Sequence, residues 1–141
     1  MIPGTCIEIQ SDIFPILPGE DEEIVNEGMY GKALCMYLEK ELPSFGLAVN
    51  FYCAEDWGWW IEVSENEFIL PLCIYTFEPI GSVPEKYYIQ SSITEPKRWS
   101  WKKFKKLDLS SEVTSILDKV ENALLHDNEI HIVERYDEFP E

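Results

Sequence analysis

The chain has 141 residues, of which 45% are hydrophobic and 13% aromatic, and its formal net charge is −16. That is one domain's length with enough apolar surface for a packed core, which excludes wholesale disorder and leaves little room for a second domain. So acidic a body repels phosphate, which excludes general nucleic-acid binding, and no apolar run approaches the length of a membrane span.

Residues 6–14, CIEIQSDIF, alternate apolar and polar side chains and predict an edge-like strand. PILPGEDEEIVNEG follows, with two prolines, two glycines and five acids, and reads as an exposed acidic loop with a short helical turn near Glu22 to Asn26. The spacing then predicts a helix over 29–42. Tyr30, Ala33, Leu34, Tyr37, Leu38 and Leu42 share one face, and Pro43 ends it.

Residues 47–53 and 59–63 read as strands joined by a hairpin loop, AEDWG, in which Gly58 supplies a positive φ. Period-two alternation turns Trp59 inward and Trp60 outward. SENE at 64–67 is a polar turn, and 68–77 is a nearly all-apolar strand in which Pro71 predicts a bulge or an edge position. Residues 86–93 alternate as a strand. A helix follows with Ser110 as N-cap and Val113, Ile116, Leu117, Val120 and Leu124 as its apolar stripe. Residues 129–136 form a last strand before the acidic tail DEFPE. The order β-α-β-β-β-β-α-β, with short connections, predicts an α+β two-layer sandwich. Its sheet is mostly antiparallel, with about five to six strands and two helices on one face.

Cys6, Cys35, Cys53 and Cys73 lie far apart in apolar segments with no CxxC pair. They read as reduced, buried thiols of a cytoplasmic protein. The first residues lack a basic region followed by an apolar one, so no signal peptide is expected. Of the eleven bases, six fall in the run KRWSWKKFKK at 97–106, which contains no acid.

Three stretches are candidate sites. Glu20, Asp21, Glu22 and Glu23 are the most concentrated acids, suited to steering a basic protein partner. Glu55 and Asp56 stand beside Trp57 and Trp60, and tryptophan is a favoured interface anchor because it buries a large area with few rotors. Lys97, Arg98, Trp99, Trp101, Lys102 and Lys103 make a secondary basic–aromatic patch. That composition suits single-stranded nucleic acid, but in so acidic a chain it points to pairing with the protein's own acids, or to a homodimer that sets this run against the acidic loop. Glu55 and Asp56 are also a candidate catalytic pair, but no metal-ligand or triad spacing supports them. His126 near a helix end and His131 in a strand have structural readings. Phosphate loop, dinucleotide fingerprint, GxSxG and zinc spacing are all missing from the sequence. No catalytic residue, cofactor or metal is therefore expected.

Residues 30–63 contain Tyr30, Gly31, Leu34 and Leu38, then Glu55, Asp56, Trp57, Gly58 and Trp59. This stretch resembles a family of small, uncharacterised bacterial proteins in which a Tyr-Gly-x-x-Leu helix is followed by a strand and Glu-Asp-Trp-Gly-Trp. The resemblance covers about a quarter of the chain and implies no activity. The general character, small, acidic and α+β, is similar to that of bacterial immunity proteins that neutralise a cognate toxin. The expectation is an immunity or inhibitor protein that occludes a basic toxin or effector, with no direct nucleic-acid or membrane contact. The alternatives are a nucleic-acid mimic that blocks a DNA- or RNA-binding effector, and a small enzyme using Glu55 or Asp56.

Overall fold

The computed structural model describes residues 1–26, 28–76, 86–100 and 105–140, with the side chains at 98, 100, 105 and 106 left out. Its centre is a six-stranded, wholly antiparallel sheet. The strands are β1 (Cys6–Gln10), β2 (Ala48–Glu55), β3 (Gly58–Glu65), β4 (Phe68–Thr76), β5 (Lys86–Ser91) and β8 (His131–Tyr136). They lie side by side in the order β2-β3-β4-β5-β1-β8, so the N-terminal strand inserts between β5 and β8. Strands β6 (Lys97–Ser100) and β7 (Lys105–Asp108) pair separately as a small hairpin, an addition to the expected order. The helices are the single turn α1 (Glu20–Glu23), α2 (Lys32–Glu41) and α3 (Ser110–Leu125).

Alternation decides which face is covered. Trp59, Ile61 and Val63 of β3 stand opposite Ile74, Leu72 and Leu70 of β4, and all are buried. Ile89 and Tyr87 of β5 and Ile7 and Ile9 of β1 continue that layer. Leu34 and Leu38 of α2 and Val113, Ile116, Leu117 and Val120 of α3 join them in one core, so both long helices cover the same face. Burying each of these aliphatic side chains contributes about 1.5–3 kcal/mol. Arg135 fastens β8 to α3: its Nη1 donates to Asp118 at 2.7 Å and to Glu121 at 3.2 Å, while Nε donates to the Gly4 carbonyl at 2.8 Å.

Several boundaries differ from expectation for local reasons. β1 stops at Gln10 instead of reaching Phe14. α2 passes at Leu42 into a 3-10 turn that holds Pro43. Ser110 is the first residue of α3 and not its cap; the Asp108 carboxylate accepts the Ser110 N–H at 2.9 Å. Pro71 sits in the interior of the sheet without a bulge, in unbroken register with β3. Its carbonyl accepts the Ser92 N–H, so its nitrogen faces the same side, where β5 has just ended at Ser91. The missing donor costs no ladder bond there.

Candidate partner-binding surface

The acidic turn splits into two kinds of residue. Asp21, Glu22 and Glu23 are exposed. Glu20 is 1% exposed, which corrects its assignment as a partner contact. Its Oε1 accepts the Leu17 N–H at 3.0 Å, and its Oε2 accepts the N–H groups of Gly31 and Lys32 at 2.9 and 3.1 Å. It is the N-terminal cap of α2, supplied from eleven residues upstream. Glu23 forms an ion pair with Lys32 at 2.6 Å, which holds the lysine's ammonium above its usual range. Tyr30 donates its hydroxyl to Asp21.

The hairpin is tighter than the loop expected. β2 runs on through Glu55 and β3 begins at Gly58, so the turn itself is only Asp56–Trp57. Gly58 lies inside β3, where a Cβ would run into the Ile74 carbonyl oxygen and stand 3.3 Å from its carbon. Its φ is positive, at 154°, as expected, and the close approach to β4 is a second reason for glycine. Trp59 is 2% exposed and its Nε1 donates to the Met29 carbonyl at 2.9 Å. The hairpin and the acidic segment touch again where Asn26 Nδ2 donates to the Asp56 carbonyl. Two acidic stretches thirty residues apart thus form one edge, with Asp21, Glu22, Glu23 and Asp56 exposed along it.

The other predicted anchors belong to the sheet face that the helices leave open. Trp60 is half-buried there, with its Nε1 donating to Glu62 at 2.9 Å. Trp57 packs its ring 5.3 Å from that of Tyr75. From Tyr75 a row of rings continues across the face: Phe139 at 4.8 Å, then Tyr88 at 5.2 Å, then Tyr136 at 6.4 Å. Phe51 and Ile69 lie exposed on the same face. Tyr75, Tyr88, Tyr136 and Phe139 were missed as site residues. The only signal for them is that each of the three tyrosines alternates with inward-facing strand residues.

Beneath the row, Glu8 is 3% exposed and takes a hydrogen bond from the Tyr136 hydroxyl at 2.7 Å, with Lys86 Nζ at 3.5 Å. That hydrogen bond, then burial, pushes the Tyr136 phenol up to about 12. A phenol raised above its unfolded value near 10 stabilises the fold fully below that value, and the contribution is lost as pH climbs from about 10 to about 12. Denaturant midpoints taken at about pH 8 and about pH 11 should therefore fall less for Tyr136→Phe than for the parent.

Gln90, at the centre of the face, is 8% exposed. Its Nε2 donates to the Ser91 carbonyl at 2.9 Å and to Thr5 Oγ1 at 3.3 Å. Its Oε1 is buried and has no hydrogen-bond partner among the described residues. An unmet buried acceptor costs about 1–3 kcal/mol.

No family model, no curated protein and no solved structure matches the chain.

Of the basic patch, Lys97 is exposed and pairs with Asp108 across the β6–β7 hairpin at 3.5 Å, and Trp99 is exposed. Arg98 is described only as backbone of β6, and Trp101, Lys102 and Lys103 lie outside the described residues. Glu55 is half-buried, within 3.5 Å of Cys53 Sγ. His131 stands on β8 at the opposite sheet edge from Glu55, roughly 24 Å away across five strand spacings. His126 meets the Phe45 ring edge to face at 5.1 Å, and its Nδ1 lies 2.8 Å from the Asn122 carbonyl. All four cysteines are free thiols, and burial pushes each upward, Cys6 to about 12. None is poised as a thiolate, the form a nucleophile needs. Among the described residues no helix is long and apolar enough to cross a membrane, and no three metal-ligating side chains cluster.

Proposed function

We propose that the chain is an acidic binding protein that covers the surface of a basic protein, in the manner of an immunity or inhibitor protein acting on a toxin or effector in the cytoplasm. One observation carries this reading. The open sheet face holds a continuous row of rings from Trp57 to Tyr136, with the exposed acids Asp21, Glu22 and Asp56 at its hairpin end and Asp137 and Glu138 at the other. Rigid aromatic groups supply area at an interface at low entropic cost, and surrounding charge selects the partner and speeds encounter. The general likeness to immunity proteins points the same way, and the Tyr-Gly and Glu-Asp-Trp-Gly-Trp stretch places Trp57 at the head of this row. The mimic alternative needs unbroken rows of carboxylates. Several acids are instead engaged internally, Glu65 with Lys119 and Asp118 and Glu121 with Arg135, which favours the simpler binder.

The test is affinity capture from the native host at low and high salt, with the parent and with Trp57→Ala and Asp56→Lys. The expected result is one basic protein whose own activity is blocked at one-to-one stoichiometry. Its association rate should drop with salt and with Asp56→Lys, and its dissociation should quicken for Trp57→Ala. Retention indifferent to salt and to both substitutions overturns the reading.

A further inference from the structure

The six-stranded sheet has two edges, and they are built differently. β8 carries His131, Glu134 and Arg135, and Arg135 ties it to α3. Charges of this kind keep a free edge from pairing with another chain. β2, at the other edge, has neither a charge nor a proline from Val49 to Ala54. Its register shift lies between Val49 and Phe51, so Phe51–Glu55 is regular strand.

Tyr52 and Ala54 hold the outward backbone groups of that stretch. The two-residue turn closes on Glu55 and Gly58, which therefore exchange the first ladder bonds. Bonded pairs alternate from there. Cys53 and Phe51 turn their N–H and C=O toward β3, and Tyr52 and Ala54 turn theirs away from it. Among the described residues no strand or loop backbone meets them. On the helix side of this edge lies an open cavity of about 580 Å³, with Glu23, Lys32, Tyr52, Ala54 and Trp59 in its lining.

The edge is complementary to itself. Suppose β2 pairs antiparallel with β2 of a second copy, about a two-fold axis between the two Cys53 residues. Tyr52 then stands opposite Ala54, and Ala54 opposite Tyr52. Every outward N–H and C=O of these residues finds a partner in the other copy. The small Ala54 leaves room over the cavity for the large Tyr52 of the second copy. A register centred on Tyr52 instead sets two tyrosines against each other and puts Ala54 at the irregular step beside Asn50.

We propose that the chain forms a two-fold dimer through the outer edge of β2, which joins two six-stranded sheets into one. The edge is uncharged, so it has nothing to select a strand of a basic protein, whereas the match of Tyr52 to Ala54 selects a second copy. The dimer uses none of the rings from Trp57 to Tyr136, and it stands apart from the reading of the chain as a binder.

The test is sedimentation velocity of the whole, reduced chain over a concentration series. A species of twice 16.5 kDa is expected. Each copy carries −16, so the dimer should tighten several-fold as salt rises from about 50 to about 500 mM. A dimer that sets the basic run 97–106 against the acidic loop would loosen instead. Ala54→Pro removes an outward N–H and no ladder bond to β3, so it should abolish the dimer with a melting temperature close to the parent's. Cys53→Lys sets like charges opposite one another at the axis and should weaken the dimer about fivefold. A pair without ladder bonds brings its Cα atoms to about 4.5 Å, within reach of a disulfide, so the oxidant diamide should join Cys53 to Cys53 of the second copy. Cys53→Ser should sediment as a dimer and not cross-link.

A chain that stays monomeric at about 0.5 mM in high salt overturns the proposal. So does a dimer that loosens with salt, that survives Ala54→Pro, or that cross-links equally in Cys53→Ser. If Ala54→Pro melts well below the parent, Cys53→Lys decides, and a dimer as tight as the parent's overturns the proposal. The partner reading fails separately, because capture of a basic protein should weaken with salt while the dimer tightens.

Discussion

Glu20→Ala is expected to lower stability by about 3 kcal/mol, or about 10 °C in melting temperature for a chain of this size. The carboxylate takes three backbone N–H groups, from Leu17, Gly31 and Lys32, at 2.9–3.1 Å in a site sealed from water. Gly31 and Lys32 begin α2, whose first N–H groups have no partner within the helix, and the helix dipole adds to the attraction for a negative charge. Alanine leaves these donors buried and unmet. Glu20→Gln keeps one good acceptor and turns an amide N–H₂ toward donors, so it should fall between parent and alanine. Thermal melts of Glu20→Ala, Glu20→Gln and, as a comparison, Glu22→Ala separate the two roles within one acidic run. Glu22 is exposed, and its removal should change stability by no more than about 0.5 kcal/mol. If Glu20→Ala melts with the parent, the cap is not formed in solution.

That contrast also marks how far sequence reasoning reaches. Amphipathic periodicity placed α2 and α3 and their buried stripes, and alternation placed Trp59 inside and Trp60 outside. Each of those inferences uses neighbours within one element. Glu20 cannot be told from Asp21 or Glu22 by composition, because its burial depends on where Gly31 comes to lie. The tolerance of Pro71 within the sheet depends on the residue at which β5 stops, a fact of another strand. The aromatic row draws on the hairpin turn, β4, β5, β8 and the tail. Taken singly, Tyr75, Tyr88, Tyr136 and Phe139 read as ordinary strand and tail residues, and only the sheet order β4-β5-β1-β8 lines them up. Trp57 was visible as an anchor by type. Its partner, Tyr75, was visible only by fold.

Gly58→Ala is expected to be the most damaging single methyl in the protein, at about 3 kcal/mol or more. The new Cβ would meet the Ile74 carbonyl oxygen, with the Tyr75 Cα at 3.7 Å behind it, so relief requires β3 and β4 to part rather than a side chain to turn. The backbone at Gly58 also has φ 154°, which an L-residue rarely adopts. Parting the strands there loosens Trp59, which is paired with Ile74 across the ladder and holds the Met29 carbonyl through its indole N–H. Gly31 is coupled to the same point, since a Cβ on it would lie 2.9 Å from Trp59 Cδ1. The helix half and the hairpin half of the stretch 30–63 therefore meet at one joint, with Glu20 capping the helix beside it. Gly31→Ala and Gly58→Ala should destabilise singly, and together by less than the sum, because either alone already displaces Trp59. Trp57→Ala, in the same five-residue motif, should alter stability far less while weakening partner binding. Chemical denaturation of the four variants reads this directly. A Gly58→Ala variant as stable as the parent would mean that β3 and β4 do not approach as closely as described, and the motif would need another reason for its glycine.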